Sequence, residues 1–191
     1  PAATAACHEL ARSAAERAPS WAPPQEVIGL IALHVATIDG TSKDDARHHL
    51  AEAIRLDPTC AAGGSALAAL LPEDEARDMC ADAVARAPVG RAAWADALLG
   101  CYALRRASSD DQQHQDEAES RQGAGNVGAS LPVPAPSRAA QRAAVRRREA
   151  SLREAVSHFL AALRSAPCAG EGGPWIADGL GVAIVACEGL A

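Results

Sequence analysis

The stretch from Leu30 to Pro58, LIALHVATIDGTSKDDARHHLAEAIRLDP, decides the fold of this chain. It opens with an apolar helical pattern, passes through Asp39-Gly40, and resumes as a second helical pattern that ends at the proline. An Asp-Gly pair is typical of a turn. Proline cannot continue a helix, because it lacks the amide hydrogen and its ring clashes with the preceding turn. The stretch therefore predicts two helices joined by a turn.

The composition of the whole chain favours helices over strands. Apolar residues make up 49% of the 191 residues, but aromatic residues make up only 3%. Alanine, which has the best intrinsic helix propensity, is the dominant apolar residue, whereas β-branched residues are sparse. We therefore predict an all-α protein. The net charge of −6 argues against general nucleic-acid binding by bulk electrostatics.

Four segments repeat the pattern of the second helix of this stretch. Each carries a small residue or cysteine, an apolar residue and a small residue at twelve, eight and five positions before a proline. The four sets are Cys7, Ala11, Ala14 and Pro19; Ala46, Leu50, Ala53 and Pro58; Ala76, Cys80, Ala83 and Pro88; and Ala155, Phe159, Ala162 and Pro167. Offsets of four and three place the three residues on one helix face. We predict that each face is buried and that each proline ends its helix.

These offsets, together with Leu30 and Leu33, resemble the tetratricopeptide repeat, a helical hairpin of about 34 residues. In that family the small residues sit where the two helices touch. His34 stands where the family prefers glycine, and Thr37 where it prefers tyrosine. The resemblance implies a right-handed superhelix, an α-solenoid of antiparallel hairpins, over residues 1–106 and 138–191. Leu180-Gly181 with Ile184 resembles the first helix of a further repeat.

Residues 107–137 interrupt the pattern. They are rich in Ser, Gln, Gly and Pro and carry almost no large apolar residues, so we predict a disordered insertion between the two helices of one hairpin. The first two prolines of the register are 39 residues apart, and we place the extra residues in the loop Trp21–Gln25. Thr41 or Ser42 is expected to cap the helix that follows, with Ser42 and Asp45 as a partial capping box.

A helical array offers its concave face to partners. The positions that the resemblance places on this face are Ile31, Val35, Ala61, Ser65, Ala95 and Leu99. They carry none of the Lys, Arg and Asn residues with which many tetratricopeptide domains hold a terminal carboxylate, so they predict an apolar peptide groove. Packing against a neighbouring helix would explain the same residues.

A run of arginines offers a second candidate surface. Arg142, Arg146 and Arg147 belong to a basic helical segment that starts at Arg138. They would contact RNA or an acidic partner, or form a solvated helix face partly neutralised by the acidic residues of 110–119.

The sequence offers no arrangement typical of catalysis or of cofactor or metal binding. The six cysteines form no C-x-x-C pair, and we interpret them as reduced thiols, with Cys7 and Cys80 on buried faces. His48 and His49 are adjacent and point to different helix faces, whereas a metal site prefers a spacing of four. We therefore predict no enzyme, no cofactor and no metal. A nucleophilic cysteine remains an alternative.

These features predict a scaffold that binds other protein subunits or peptides inside a multisubunit assembly. The segment WIADGLGVAI, residues 175–184, is similar to tetratricopeptide subunits of superkiller complexes, which feed RNA to the cytoplasmic exosome. That similarity implies a cytoplasmic role in RNA decay. No apolar run reaches about 18 residues, so we predict no membrane span. The chain starts at Pro1 without a methionine and ends within a helical pattern, so we expect a piece of a longer array. Direct RNA binding by the Arg142–Arg148 helix is the alternative function.

Overall fold

The computed structural model describes residues 2–123 and 137–165, with further residues at 179, 181, 183–185 and 187. Within these residues there are helices and connecting turns but no strand, which confirms the all-α prediction. The helices are α1 (Ala2–Arg17), α2 (Ala22–Asp39), α3 (Asp44–Leu56), α4 (Ala61–Ala68), α5 (Glu73–Arg86), α6 (Ala93–Gly123) and α7 (Arg138–Ser165).

Prolines set the ends of three helices. Helices α1, α3 and α5 each end two residues before the proline that the sequence marks as a stop. The residue directly before a proline is pushed out of the α region by contact with the proline ring, so the last helical residue lies one position earlier. The predicted stop signals at Pro19, Pro58 and Pro88 are confirmed, whereas Pro167 lies outside the described residues.

The predicted faces are the buried core in three of the four helices. The residues with no exposed surface include Ala46, Leu50 and Ala53 on α3; Ala76, Cys80 and Ala83 on α5; and Ala155, Phe159 and Ala162 on α7. Helix α1 differs, because Cys7 is exposed and Ala14 is only half buried, so the prediction for Cys7 is wrong. Whether a helix face is buried depends on which other elements pack against it, and the spacing of residues along one helix does not reveal that.

The helices contact each other in chain order. Each helix from α1 to α6 packs against the next one, and α4 also contacts α2 and α6. Helices α6 and α7 are antiparallel: Asp96 pairs with His158 at 3.1 Å, and Arg106 pairs with Glu154 at 2.8 Å. Hence residue numbers rise along one helix as they fall along the other.

Polar contacts tie successive hairpins together. The carboxylate of Glu26 on α2 accepts a hydrogen bond from the backbone of Gly63 at 2.6 Å, at the start of α4. This contact satisfies one of the unpaired amides at a helix N-terminus. The indole of Trp94 on α6 donates to the carbonyl of Pro58 at 3.1 Å. The turn between α3 and α4 is therefore fixed to α6.

The register of α2 differs from the prediction. Gly29, not His34, lies at the close contact with α3, where an added Cβ would stand 2.7 Å from the Leu50 side chain. His34 and Thr37 are exposed. The extra residues of the first spacing consequently lie between Gly29 and α3, in the longer α2 and its turn. The loop Trp21–Gln25 does not hold them, because α2 already begins at Ala22.

The cap expected at the start of α3 is also wrong, as the turn between α2 and α3 shows. Gly40 ends α2 with φ 65°, a left-handed conformation that glycine adopts without steric cost. The N-cap of α3 is Lys43, and neither Thr41 nor Ser42 caps it. Ser42 instead accepts a hydrogen bond from the Asp44 backbone at 3.2 Å. The contact with Ser42 that was predicted for Asp45 is thus made by Asp44.

The first part of the predicted insertion is helical. Helix α6 continues through the expected boundary at residue 106 and ends at Gly123, whereas 124–136 lie outside the described residues. No Gly or Pro occurs between residues 101 and 122, and Gln, Glu, Arg and Ala are all good helix formers. A lack of large apolar residues removes a reason to pack, but it does not break a helix.

Candidate partner-binding surfaces

Ile31 and Val35, two of the predicted binding residues, lie in an open groove between α1 and α2. We call this surface the α1–α2 groove; its volume is about 840 Å³. Val35 is 40% exposed, and Ile38 on the same side of α2 is 69% exposed. The groove is lined by Thr4, Ala5, His8, Ile31, Ala32, His34, Val35, Ala36, Ile38, Asp39, Thr41, Ser42 and Asp45. Its lining therefore combines apolar side chains with polar and acidic ones.

Two histidines lie on α3, the helix that follows this groove. His49 Nδ1 lies 2.8 Å from the side-chain oxygen of Gln25, and the His48 ring meets the His49 ring edge to face. Burial lowers the pKa of His49, and the neighbouring His48 lowers it further. In the part of the chain that the structure describes, no group of three or more His, Cys, Asp or Glu side chains is placed to hold a metal ion.

Ser65 lines a second surface, the α4–α6 groove, of about 390 Å³. Ala95 and Leu99, predicted for the same face of the array, are buried in the core, so they are corrected as binding candidates. The residues of α6 that reach this groove are Leu98, Cys101, Tyr102 and Arg105. Gly100 packs against Phe159 of α7. Taking Gly100 as the point where α6 touches the facing helix would have predicted which residues of α6 are buried and which reach this groove.

The structure separates the three predicted arginines. Arg142 and Arg146 are exposed on one side of α7, where they line a shallow pocket with Arg138, Gln141 and Val145. Arg147 instead faces a cleft of about 810 Å³ between α6 and α7, which we call the α6–α7 cleft. The basic segment thus contributes to two distinct surfaces.

The α6–α7 cleft combines opposite charges from three helices. Arg106 pairs with Glu154 at 2.8 Å, and Arg105 lies 3.6 Å from Glu73 at the start of α5. The Nε atom of Arg106 is buried and has no hydrogen-bond partner within the described residues. Arg147 makes no ion pair or hydrogen bond among the residues described. Sequence reasoning identified Arg147 but missed Arg105 and Arg106, because no local pattern links them to α7.

The thiols are the remaining candidates for chemistry. Burial raises the pKa of Cys80 to about 12, and burial with nearby carboxylates raises that of Cys60 to about 11. The pKa of Cys101 is also raised, again by burial. A raised pKa leaves less of the nucleophilic thiolate at neutral pH. These environments are typical of thiols that fill space, and Cys168 lies outside the described residues.

Thiol labelling tests this interpretation. We expect iodoacetamide at pH 8 to modify the exposed Cys7 first and Cys80 only after unfolding, because burial both shields the Cys80 sulfur and suppresses its ionisation. Mass spectrometry of timed samples gives the order, and a urea-unfolded sample is the control. Faster labelling of Cys60, Cys80 or Cys101 than of Cys7 would favour the alternative of a nucleophilic cysteine.

Comparison with protein-family models, with curated proteins and with solved structures finds no match to this chain. The described helices include none that is both long enough and apolar enough to cross a membrane.

Proposed function

We propose that this chain is a non-enzymatic scaffold for protein–protein interaction, a tetratricopeptide-like segment of a larger assembly. The observation that carries the proposal is the repeated buried face on α3, α5 and α7, with a proline ending α3 and α5. One hairpin cannot bury such a face alone, so stacking of similar hairpins is the physical solution. The contacts of α4 with both α2 and α6 support stacking of successive hairpins. A right-handed solenoid is what the tetratricopeptide resemblance implies for such a stack.

The exposed apolar side chains of the α1–α2 groove support binding of a partner protein. Val35 and Ile38 stand on an open surface next to Ile31. Exposed apolar patches with polar rims are typical of interaction sites. Binding of other subunits or peptides there requires no cofactor.

Affinity capture tests the scaffold proposal. We expect the double variant Val35→Asp/Ile38→Asp to retain at least about tenfold less of a partner protein than the wild-type chain does, because charges in an apolar contact remain unpaired. Val89→Asp is the matched control, because Val89 is fully exposed in the turn before α6. Quantitative mass spectrometry compares the three. Equal retention of the partner by the wild type and both variants would contradict a role for this groove.

A finer assignment is also part of the proposal. We place the scaffold in a cytoplasmic, superkiller-type RNA-decay assembly on the basis of residues 175–184, most of which lie outside the described residues. Direct RNA binding is the second candidate, favoured by the exposed face of Arg138, Arg142 and Arg146 on α7. The net charge of −6 weighs against it.

A further inference from the structure

We propose that the α6–α7 cleft, continued by the α4–α6 groove, binds an acidic peptide segment of a partner protein. This inference rests on the proposed scaffold function and names the chemistry of one partner. The two surfaces share Glu73 and Arg105, which pair at 3.6 Å, so they adjoin at this pair, and the proposed path of the peptide crosses it from one surface to the other.

The two ends of this path differ in chemistry. The α4–α6 end offers apolar surface from Ala68, Leu71 and Leu98. The α6–α7 end offers three arginines, Arg105, Arg106 and Arg147, with Ser108, Ser109 and Ser151 beside them. An extended segment with an apolar side chain followed by carboxylates would match both ends in order.

The charges of the cleft favour an acidic occupant. Its two carboxylates, Glu73 and Glu154, already lie against Arg105 and Arg106, whereas the third arginine, Arg147, has no such contact within the described residues. The buried Nε of Arg106 is a donor without an acceptor there. Guanidinium groups hold carboxylates through paired hydrogen bonds, and an unmade bond to a buried donor is costly.

Arg147 offers a test that leaves the fold intact. It is exposed and pairs with no described carboxylate, so Arg147→Gln removes a charge from the cleft without opening the Arg106–Glu154 pair. Arg142→Gln is the matched control, because it removes the same charge from an exposed position of the same helix, outside the cleft. Circular dichroism checks that both variants keep their helices.

The probe is a fluorescein-labelled peptide with one leucine followed by four glutamates, and its control has glutamines instead. Fluorescence anisotropy should show that the glutamate peptide binds and the glutamine peptide does not. Arg147→Gln should weaken binding roughly tenfold, as expected for one hydrogen bond to a charged group. Arg142→Gln should change affinity less than about twofold.

Several results would overturn the inference. If both variants weaken peptide binding equally, the peptide is held by general charge attraction. If the glutamate and glutamine peptides bind equally well, the arginines do not recognise carboxylates. Poly-uridylate that binds more tightly than the peptide and depends on Arg147 would assign the cleft to RNA. Absence of peptide binding by a chain that still captures its partner through Val35 and Ile38 would remove this inference alone and leave the scaffold proposal standing.

Discussion

Phe159→Ala should lower the free energy of unfolding by about 3–5 kcal/mol, the usual cost of truncating a buried phenylalanine. Phe159 is the only phenylalanine of the chain and has no exposed surface. Its ring enters a space left by two glycines: an added Cβ at Gly100 would stand 2.9 Å from the ring, and one at Gly179 would stand 2.7 Å from it. Alanine would leave a cavity, because the other buried residues of this cluster that the structure describes are all alanines.

The neighbouring residue provides the control. Leu160 is 37% exposed on the same helix, so Leu160→Ala should cost less than about 1 kcal/mol. Urea unfolding followed by circular dichroism gives both values. Hydrogen exchange should show the Phe159→Ala loss mainly in α6 and α7, because in the proposed array each hairpin stabilises only its neighbours. A similar loss for both variants would contradict the central place given to this ring.

The features predicted correctly from sequence were those set within one helix. Pro58 limits α3 by its own covalent geometry, and the spacing of Ala46, Leu50 and Ala53 follows from the helix period. Both signals act over a few residues, so they are readable without tertiary information. The all-α class followed for the same reason, since alanine favours helix at almost every position.

The errors arose where one helix had to be aligned with another. Proline spacing shows how many residues a hairpin has gained, but not where they are inserted. For this reason His34 was placed at the contact that Gly29 makes, and Leu99 was expected on a surface although it is buried. Glycine is a better marker of such contacts than the distance to a proline, because only glycine leaves room for a large side chain from the facing helix.

The candidate cleft was the least predictable feature. Glu73, Arg106 and Arg147 come from three helices and are far apart in sequence. The sequence indicated a basic segment, but it could not show that Arg147 and Arg142 lie on different surfaces. That difference depends on which side of α7 faces α6. Only the packing of α5, α6 and α7 brings the cleft together.

Gly64→Ala should destabilise the protein by about 1–3 kcal/mol, although alanine is the better helix former by about 1 kcal/mol. A Cβ at Gly64 would lie 2.5 Å from Cζ2 of Trp94, well inside van der Waals contact. The indole cannot turn away freely, because its Nε1 donates a hydrogen bond to the Pro58 carbonyl at 3.1 Å. Relief of the clash would break that bond or push α4 away from α6.

Gly63 is the matched control for this substitution. It lies next to Gly64 in the same helix, so alanine brings the same gain in propensity. The nearest atom to its added Cβ is a carboxylate oxygen of Glu26 at 3.1 Å, the end of a flexible side chain. Gly63→Ala should therefore be close to neutral, and the two variants should differ by at least about 1 kcal/mol in urea unfolding.

A double variant tests the assigned cause. Trp94→Leu removes the ring that Gly64→Ala would meet, so alanine at position 64 should become neutral or stabilising in that background. The sign change is the signature of direct contact between two residues in a double-mutant cycle. If Gly64→Ala costs the same with and without the indole, the loss comes from elsewhere in α4, and the close packing of α4 on α6 would have to be abandoned. That packing, together with the contact of α5 with α6, also joins the hairpin of α2 and α3 through α4 and α5 to that of α6 and α7, so the outcome bears on the array interpretation.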